Sequence, residues 1–191
     1  LSKVRSARSA NRLAAIAMGL AVIGVLINSL TTSGISPSAW LWITLGLFIG
    51  TSLGILTAQK VPMTAMPETV ALFNGCGGMS SLLVAIGVTL YPLNESQDPL
   101  SVGLIGLISI IISVFVGAIT FSGSIIAMAK LQGWLSTPPW IQTNLRHSIN
   151  ITFAVISLIA AIQLFKGEIN GLWLLVIASS LLGIGVTLPI G

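Results

Sequence analysis

The sequence predicts an all-α, polytopic transmembrane helix bundle with six spans in this chain. Only 6% of its 191 residues are charged and 54% are hydrophobic, whereas a soluble domain carries about 25% charged residues. The mean hydropathy is +1.04. Six apolar runs approach or exceed the roughly 20 residues that a helix needs to cross a bilayer. These observations exclude a soluble globular domain.

The six spans are predicted to form a single transmembrane domain, 1–191, without a soluble nucleotide-binding domain. They cover 13–30, 40–58, 70–90, 102–129, 149–165 and 172–190. The fourth is longer than a crossing requires, which indicates tilt or extension into the interface. The charged residues all lie outside the runs or at their ends.

The positive-inside rule predicts that the N-terminus is cytoplasmic. With that orientation most cations share the cytoplasmic side: Lys3, Arg5, Arg8, Arg12, Lys60, Lys130 and Arg146. The other side holds Lys166 and the acids Glu95, Asp98 and Glu168. The sequence pI of about 9.9 therefore reflects basic residues that anchor the helix ends at the membrane surface. No nucleic-acid partner is expected, since no basic patch is interleaved with aromatic residues.

Small and polar residues recur at helical spacing and so share helix faces. The third span groups Asn74, Gly77, Gly78 and Ser81; the fourth groups Gly106, Ser109, Ser113, Gly117, Thr120 and Ser124; the fifth groups Asn150, Ala154, Ser157 and Ala161. In the second span, Gly46, Gly50 and Gly54 have the GxxxG spacing. Close helix packing explains the second-span ridge. For the third and fourth spans, packing and a polar pathway both remain open.

Asn74 is the most informative side chain, because it lies about one turn inside an uncharged span and is followed by Gly75, Gly77 and Gly78. An amide in an apolar span must be satisfied or used. Either it makes an inter-helix hydrogen bond or it lines a polar pathway. Glu68, at the mouth of the same span, is either a charge favoured by the helix N-terminus or a proton or contact site.

The single histidine and the single cysteine are each expected to have an ordinary structural role. His147 is the only histidine and Cys76 the only cysteine. We expect the histidine to be solvated at the membrane interface, and the thiol to be a small packed residue, as free cysteines usually are. One thiol makes neither an internal disulfide nor a metal site.

Three segments carry a family resemblance: MTAMPETVALFNG at 63–75, VGAITFSGSIIAMAKLQG at 116–133 and RHSIN at 146–150. Together with the basic N-terminal stretch, they resemble the membrane part of the β subunit of proton-translocating NAD(P) transhydrogenase. The resemblance covers essentially the whole chain. The first two segments are specific in combination, and the others are weak alone.

The resemblance implies that the complete enzyme passes hydride between NAD(H) and NADP(H) and couples this to proton movement across the membrane. NAD and NADP would be bound by soluble domains, so this chain would bind no cofactor and could not transfer hydride alone. The candidate proton-path residues are Asn74, Ser81, Thr120, Ser124 and Glu68. The loop before the third span would lie on the cytoplasmic face and sense the state of the nucleotide domains.

The expected partners are the lipid bilayer, the α subunit, and the NAD- and NADP-binding domains, with the whole enzyme a homodimer. The expected location is the bacterial inner (plasma) membrane; the alternative is the mitochondrial inner membrane. Other interpretations of the chain are a stand-alone small multi-pass transporter or channel, and a structural membrane subunit. A transporter would need substrate-binding groups within the membrane, yet no span interior carries a charge.

The chain departs from the family pattern at the candidate site. Many members have a protonatable histidine where this chain has Asn74, and some have an acid where it has Ala65. Asparagine orients water but does not titrate. Either a protonatable residue elsewhere serves, such as one on a partner subunit, or the path is water held by Asn74, Ser81, Thr120 and Ser124.

Overall fold

The computed structural model describes residues 4–31, 36–94, 103–137 and 145–189. They form six helices: α1 (Val4–Thr31), α2 (Pro37–Lys60), α3 (Met66–Asn94), α4 (Gly103–Leu131), α5 (Leu145–Phe165) and α6 (Ile169–Thr187). A single 3₁₀ turn, Met63–Ala65, precedes α3. All six helices are long and apolar enough to cross a membrane. The predicted all-α architecture with six spans is confirmed, while the orientation of the N-terminus stays a prediction.

The helices extend beyond the predicted spans because hydropathy detects only the part of a helix that lies in the apolar core. Four residues N-terminal to the predicted third span, α3 already begins at Met66. Pro67 stands in its first turn, where a missing backbone N–H breaks no helical bond. The predicted loop before this span is correspondingly short. At the other extreme, α6 ends at Thr187, three residues before the predicted end, which lies outside the described residues.

The chain divides into two compact units, Leu1–Lys60 and Val61–Gly191. The first contains α1 and α2, whose described side chains are exposed or half-buried. A Cβ atom built on Gly46, Gly50 or Gly54 would meet no described atom within 4 Å. The close packing expected of this glycine ridge therefore stays a prediction.

The second unit is built around α4, which contacts α3, α5 and α6. Helix α3 runs antiparallel to α4, and α5 runs antiparallel to α6. The buried apolar core comes from all four helices: Leu82, Ala85, Ile110, Val114, Ala118, Ala160, Leu164, Leu172 and Leu175. Apolar side chains gain little from packing on each other rather than on lipid, so close backbone approach at small residues is what holds such helices together.

The α4–α6 contact shows this close approach. A Cβ built on Gly183 would lie 2.6 Å from the carbonyl oxygen of Ile119, and one built on Gly123 would lie 2.7 Å from Thr187 Oγ1. Real Cβ atoms essentially never come so near. At Gly183 the two helices therefore touch backbone to backbone and only glycine fits, whereas the close contact at Gly123 is with a side-chain hydroxyl.

The only histidine is exposed as predicted, whereas the only cysteine is not packed as predicted. His147 is exposed, as expected, and its Nε2 accepts a hydrogen bond of 3.2 Å from Arg146 Nε. Cys76 is also exposed, so the prediction of a packed thiol is wrong within this chain. The reason is its position on α3: the neighbouring Gly75 and Gly78 face α4, which turns Cys76 away from the interface.

Candidate functional site

Asn74 and Ser124 meet at the crossing of α3 and α4. The Asn74 Nδ2 atom donates a hydrogen bond of 2.9 Å to Ser124 Oγ. Asn74 lies about 12 Å along α3 from its first residue at the 1.5 Å rise of a helix. Ser124 is buried, whereas much of Asn74 is exposed in this chain. The inter-helix hydrogen bond, one of the two roles left open for Asn74, is therefore present, and the exposed side of the amide leaves the polar pathway open as well.

Glycine at the crossing makes this contact geometrically feasible. A Cβ built on Gly75 would lie 3.1 Å from Ser124 Cβ. One turn further, a Cβ on Gly78 would lie 2.8 Å from Phe121 N and 2.9 Å from the carbonyl oxygen of Gly117. The backbones are thus too close for any side chain, and this brings the short amide of Asn74 within reach of α4.

The face of α3 that packs on α4 differs from the predicted one. Gly75 and Gly78 are buried at the crossing, whereas Gly77 and Ser81 are exposed. A Cβ built on Gly77 would meet no described atom within 4 Å. The sequence pattern grouped Gly77 with Asn74 because helical spacing alone does not say which edge of a face is covered.

Thr120 lies beside the crossing, one turn before Ser124 on α4. Its Cβ is 2.8 Å from the Cβ position of Gly78, and its side chain is half-buried. The structure therefore places Thr120 against α3, next to the Asn74–Ser124 hydrogen bond.

Ser81 lies farther along α3, about 10 Å from Asn74 by helix rise. It lines an open groove of about 380 Å³ between α3 and α4, together with Ser80, Ser109 and Ser113. The hydroxyls of Ser80 and Ser109 bond carbonyls of their own helices, those of Gly77 and Ile105. A serine-lined groove thus continues the line from Asn74, but Ser81 itself belongs to the groove and not to the crossing.

Glu68 occupies the first turn of α3 and is half-buried. A carboxylate there is stabilised by the partial positive charge of the helix N-terminus. It precedes Asn74 by about 9 Å of helix rise. The structure therefore places Glu68 at the end of α3 nearest the Asn74–Ser124 contact and apart from the contact itself.

A second membrane amide was not among the predicted site residues. Asn150 Nδ2 donates a hydrogen bond of 3.2 Å to the carbonyl oxygen of Gly185, linking α5 to α6. Its Oδ1 is buried without a hydrogen-bond partner among the described residues. The sequence placed Asn150 on a polar face of the fifth span, and that was the available signal.

Sequence reasoning also missed the position of Lys130. Its Nζ donates 2.8 Å hydrogen bonds to Thr137 Oγ1 and to the carbonyl oxygen of Leu188, at the end of α6. Leu188 is 58 residues from Lys130 in the sequence, although the two are hydrogen-bonded in the structure. Only the fold shows that this cation ties the ends of two helices together.

The contact between Asn74 and Ser124 is suited to holding hydrogen-bonded water. Amide and hydroxyl groups both donate and accept hydrogen bonds. Across the part of the chain that the structure describes, no group of three or more His, Cys, Asp or Glu side chains could hold a metal ion.

Comparisons with known proteins agree with the sequence resemblance. The family model for the NAD(P) transhydrogenase beta subunit matches residues 1–191. The chain is 40% identical over 142 residues to the NAD(P) transhydrogenase subunit beta of Rhodospirillum rubrum, covering 73% of this chain and 29% of that relative. The same subunit from a named strain of that species matches equally. The chain thus spans less than a third of the curated relatives it matches. It belongs to the NAD(P) transhydrogenase beta subunit family.

Proposed function

We propose that this chain is part of the proton-translocating membrane domain of an NAD(P) transhydrogenase. In the complete enzyme, hydride transfer between NAD(H) and NADP(H) would take place in soluble domains and drive proton movement through the membrane. The observation that carries the proposal is the hydrogen bond between Asn74 and Ser124, in a six-span chain of the beta subunit family.

The contact supports a proton path because it leaves hydrogen-bonding capacity for water. Ser124 Oγ accepts from Asn74 and still has a proton to donate. The exposed side of Asn74 offers a carbonyl oxygen, which accepts. A donor and an acceptor side by side can orient one water molecule in a chain. The hydroxyls of Thr120 and Ser81 would continue that chain along the α3–α4 interface.

Neither Asn74 nor Ser124 can store a proton at neutral pH, so storage would occur elsewhere. We place it on a partner subunit, against the open side of Asn74. An amide beside a protonatable group would orient that group, whereas a histidine at the same position would itself carry the proton.

The segment that leads into α3 would report nucleotide occupancy to the path. It contains Lys60, the 3₁₀ turn and Glu68, all within a short stretch before Asn74. Helix α3 carries both Glu68 and Asn74 and so connects this segment to the path directly. A shift of its first turn by a soluble domain would move Asn74 relative to Ser124, which gives two states of the path.

The partners in this proposal are the α subunit and the NAD- and NADP-binding domains, in a homodimer of the whole enzyme. The chain itself would bind neither NAD nor NADP. The membrane would be the bacterial inner membrane, with the mitochondrial inner membrane as the alternative. The described structure supports a multi-pass membrane protein through its six candidate spans.

The proposal is tested by Asn74→Leu in the complete enzyme, reconstituted in vesicles, with proton pumping and hydride exchange measured on the same sample. Asn150→Leu is the matched control, since Asn150 also donates across a helix pair but lies between α5 and α6. We expect Asn74→Leu to lose pumping while protein yield is kept, and the control to keep pumping. Unchanged coupled proton pumping in Asn74→Leu would refute the proposal. Loss of yield together with activity would show instead that the hydrogen bond only fastens the helices.

A further inference from the structure

We propose that a slot between the beginning of α5 and the end of α6 binds an anionic phospholipid, with Arg146 contacting the phosphate and an acyl chain lying along the slot. The slot is a cavity of about 160 Å³. One face of each helix supplies its walls. The inference is independent of the proposed proton path, which runs between α3 and α4.

The slot follows the axes of the two helices. Three of its lining residues on α5 are spaced i, i+3 and i+7: Arg146, Ile149 and Phe153. Three at the end of α6 have the same spacing: Leu181, Ile184 and Leu188. Residues at this spacing share one helix face. Because seven residues of helix rise correspond to about 10 Å, the slot extends from Arg146 toward the middle of the helices by about that length.

Arg146 lies at the outer end of the slot, in the first turn of α5. It is half-buried, and its one hydrogen bond among the described residues joins Nε to His147 Nε2 at 3.2 Å. The structure describes two acids, of which Glu168 lies at the opposite end of α5 and Glu68 lies on α3. The outer guanidinium nitrogens therefore keep their hydrogens for another acceptor. Arginine binds phosphate oxygens through two parallel hydrogen bonds of this kind.

The rest of the slot is suited to a hydrocarbon chain. Apart from Asn150, whose Nδ2 donates to the carbonyl oxygen of Gly185, the lining beyond Arg146 is formed by apolar side chains and Gly185. An acyl chain would cover these apolar groups, whereas a free phosphate ion would leave them bare. Another membrane helix is too large to enter, because a helix 10 Å across occupies roughly 400 Å³ per turn.

The slot opens at an end of the helices where a lipid headgroup is expected. Leu188 lies there, and its carbonyl oxygen accepts from Lys130 in the last turn of α4; the charge of Lys130 has no part in the proposed site. Trp134 follows α4 and is 70% exposed, as an aromatic side chain at the membrane–water interface would be. The positive-inside rule predicts that this end is cytoplasmic, and basic pockets between helices on that side bind acidic headgroups.

A simpler role for Arg146 is that of an anchoring charge, attracted to any anionic membrane surface. That role and a lipid site both predict weaker binding of anionic lipid when Arg146 is replaced. They differ when the slot is filled and Arg146 is kept. An anchoring charge would then act as before, whereas a lipid whose acyl chain needs the slot would be lost.

The test uses the complete enzyme in nanodiscs of phosphatidylcholine with or without phosphatidylglycerol. Retained lipid is counted by native mass spectrometry, and thermal unfolding is followed in parallel. We expect wild type to retain phosphatidylglycerol in preference to phosphatidylcholine, and Arg146→Gln to weaken this retention roughly five-fold. Lys166→Gln is the matched control, because Lys166 is an exposed cation at the opposite end of α5 and outside the slot. Its retention should equal that of wild type.

Leu181→Trp is a second variant, which fills the slot and keeps Arg146. Leu181 is 39% exposed, so the larger side chain can be accommodated without entering the buried core. Leu174→Trp is its control, since it makes the same substitution about two turns earlier on α6, at a residue that is 37% exposed and outside the slot. We expect retention of phosphatidylglycerol to fall in Leu181→Trp and to equal that of wild type in Leu174→Trp.

Retention equal to wild type in Arg146→Gln or in Leu181→Trp overturns the proposal, and so does an equal loss in Leu181→Trp and Leu174→Trp. If Arg146→Gln does not fold, the tryptophan pair still decides. The wild-type comparison of the two lipids requires no variant, and an absence of preference there also refutes the site. Inorganic phosphate overturns the proposal if, in phosphatidylcholine alone, it raises the unfolding temperature as much as phosphatidylglycerol does.

Discussion

Replacing Gly78 by alanine should separate α3 from α4 and break the hydrogen bond at the candidate site. The added Cβ would lie 2.8 Å from both Phe121 N and Thr120 Cβ, where ordinary contact begins at 3.4 Å. Two of the three nearest atoms are backbone and cannot rotate away. The helices must therefore move apart by about 0.6 Å at this level, which is overpacking of a tight interface.

The consequence for the site follows from the same distance. Asn74 Nδ2 and Ser124 Oγ are 2.9 Å apart, so a comparable shift at their level, one turn away, would stretch the contact to about 3.5 Å, beyond a good hydrogen bond. Overpacking of this kind costs about 1–3 kcal/mol. Gly→Ala also favours the helix by up to about 1 kcal/mol, which partly offsets the loss.

Gly77→Ala is the control that cancels this helix preference. It makes the same chemical change at the adjacent residue, but its Cβ would meet no described atom within 4 Å. Thermal or denaturant unfolding of both variants in the complete enzyme should therefore differ by about 1–3 kcal/mol. Equal stability of the two variants would show that the α3–α4 backbones are not in the close contact described above.

Two further predictions concern the α5–α6 pair. Gly171→Ala should lower the free energy of unfolding by about 1–3 kcal/mol, because its Cβ would lie 2.6 Å from Leu164 N. Gly87→Ala should not lower it, because a Cβ built on Gly87 would meet no described atom within 4 Å. Similar melting temperatures for Gly171→Ala and Gly87→Ala would contradict the prediction. Gly185→Ala should also destabilise, since its Cβ would collide with Asn150 Oδ1 and the amide, in turning away, would lose its hydrogen bond to the Gly185 carbonyl. Adding Asn150→Ala should relieve the collision, with a coupling of about 0.5–3 kcal/mol in a double-mutant cycle, and strictly additive losses would argue against it.

The sequence was sufficient for the helices, because each span is a long apolar run and every charged residue lies outside these runs or at their ends. It also identified Asn74 and Ser124, since a polar side chain stands out in an apolar span. It could not establish that these two residues meet. Fifty residues separate them, and their contact depends on which glycines face α4.

The face of α3 shows the limit of pattern reasoning. Helical spacing grouped Gly77 and Ser81 with Asn74, yet the glycine beside Ser124 is Gly75, which that grouping left out. In a soluble helix an apolar stripe marks the covered face. A membrane helix is apolar all round, so this signal is lost and only small residues remain as a guide.

The polar contacts of Lys130 and Asn150 were likewise not recognisable from the sequence. Lys130 was recognised as an anchoring charge, which fits its place in the last turn of α4. Its bond to Leu188 depends on α4 and α6 packing side by side with their ends level, and neither the spans nor the loop lengths encode that. Asn150 was placed on a polar face, but its partner is a backbone carbonyl and leaves no signal in sequence.

The most direct test of the proposed path removes one oxygen atom from it. Ser124→Ala deletes the Oγ that accepts from Asn74 and keeps the Cβ that packs near Gly75. The control is Ser122→Ala, a buried serine of the same helix whose hydroxyl bonds the carbonyl of Ala118. The measurement is protons moved per hydride transferred by the complete enzyme in vesicles. A path through Ser124 predicts a lower ratio for Ser124→Ala and the wild-type ratio for Ser122→Ala; a wild-type ratio for Ser124→Ala would contradict it.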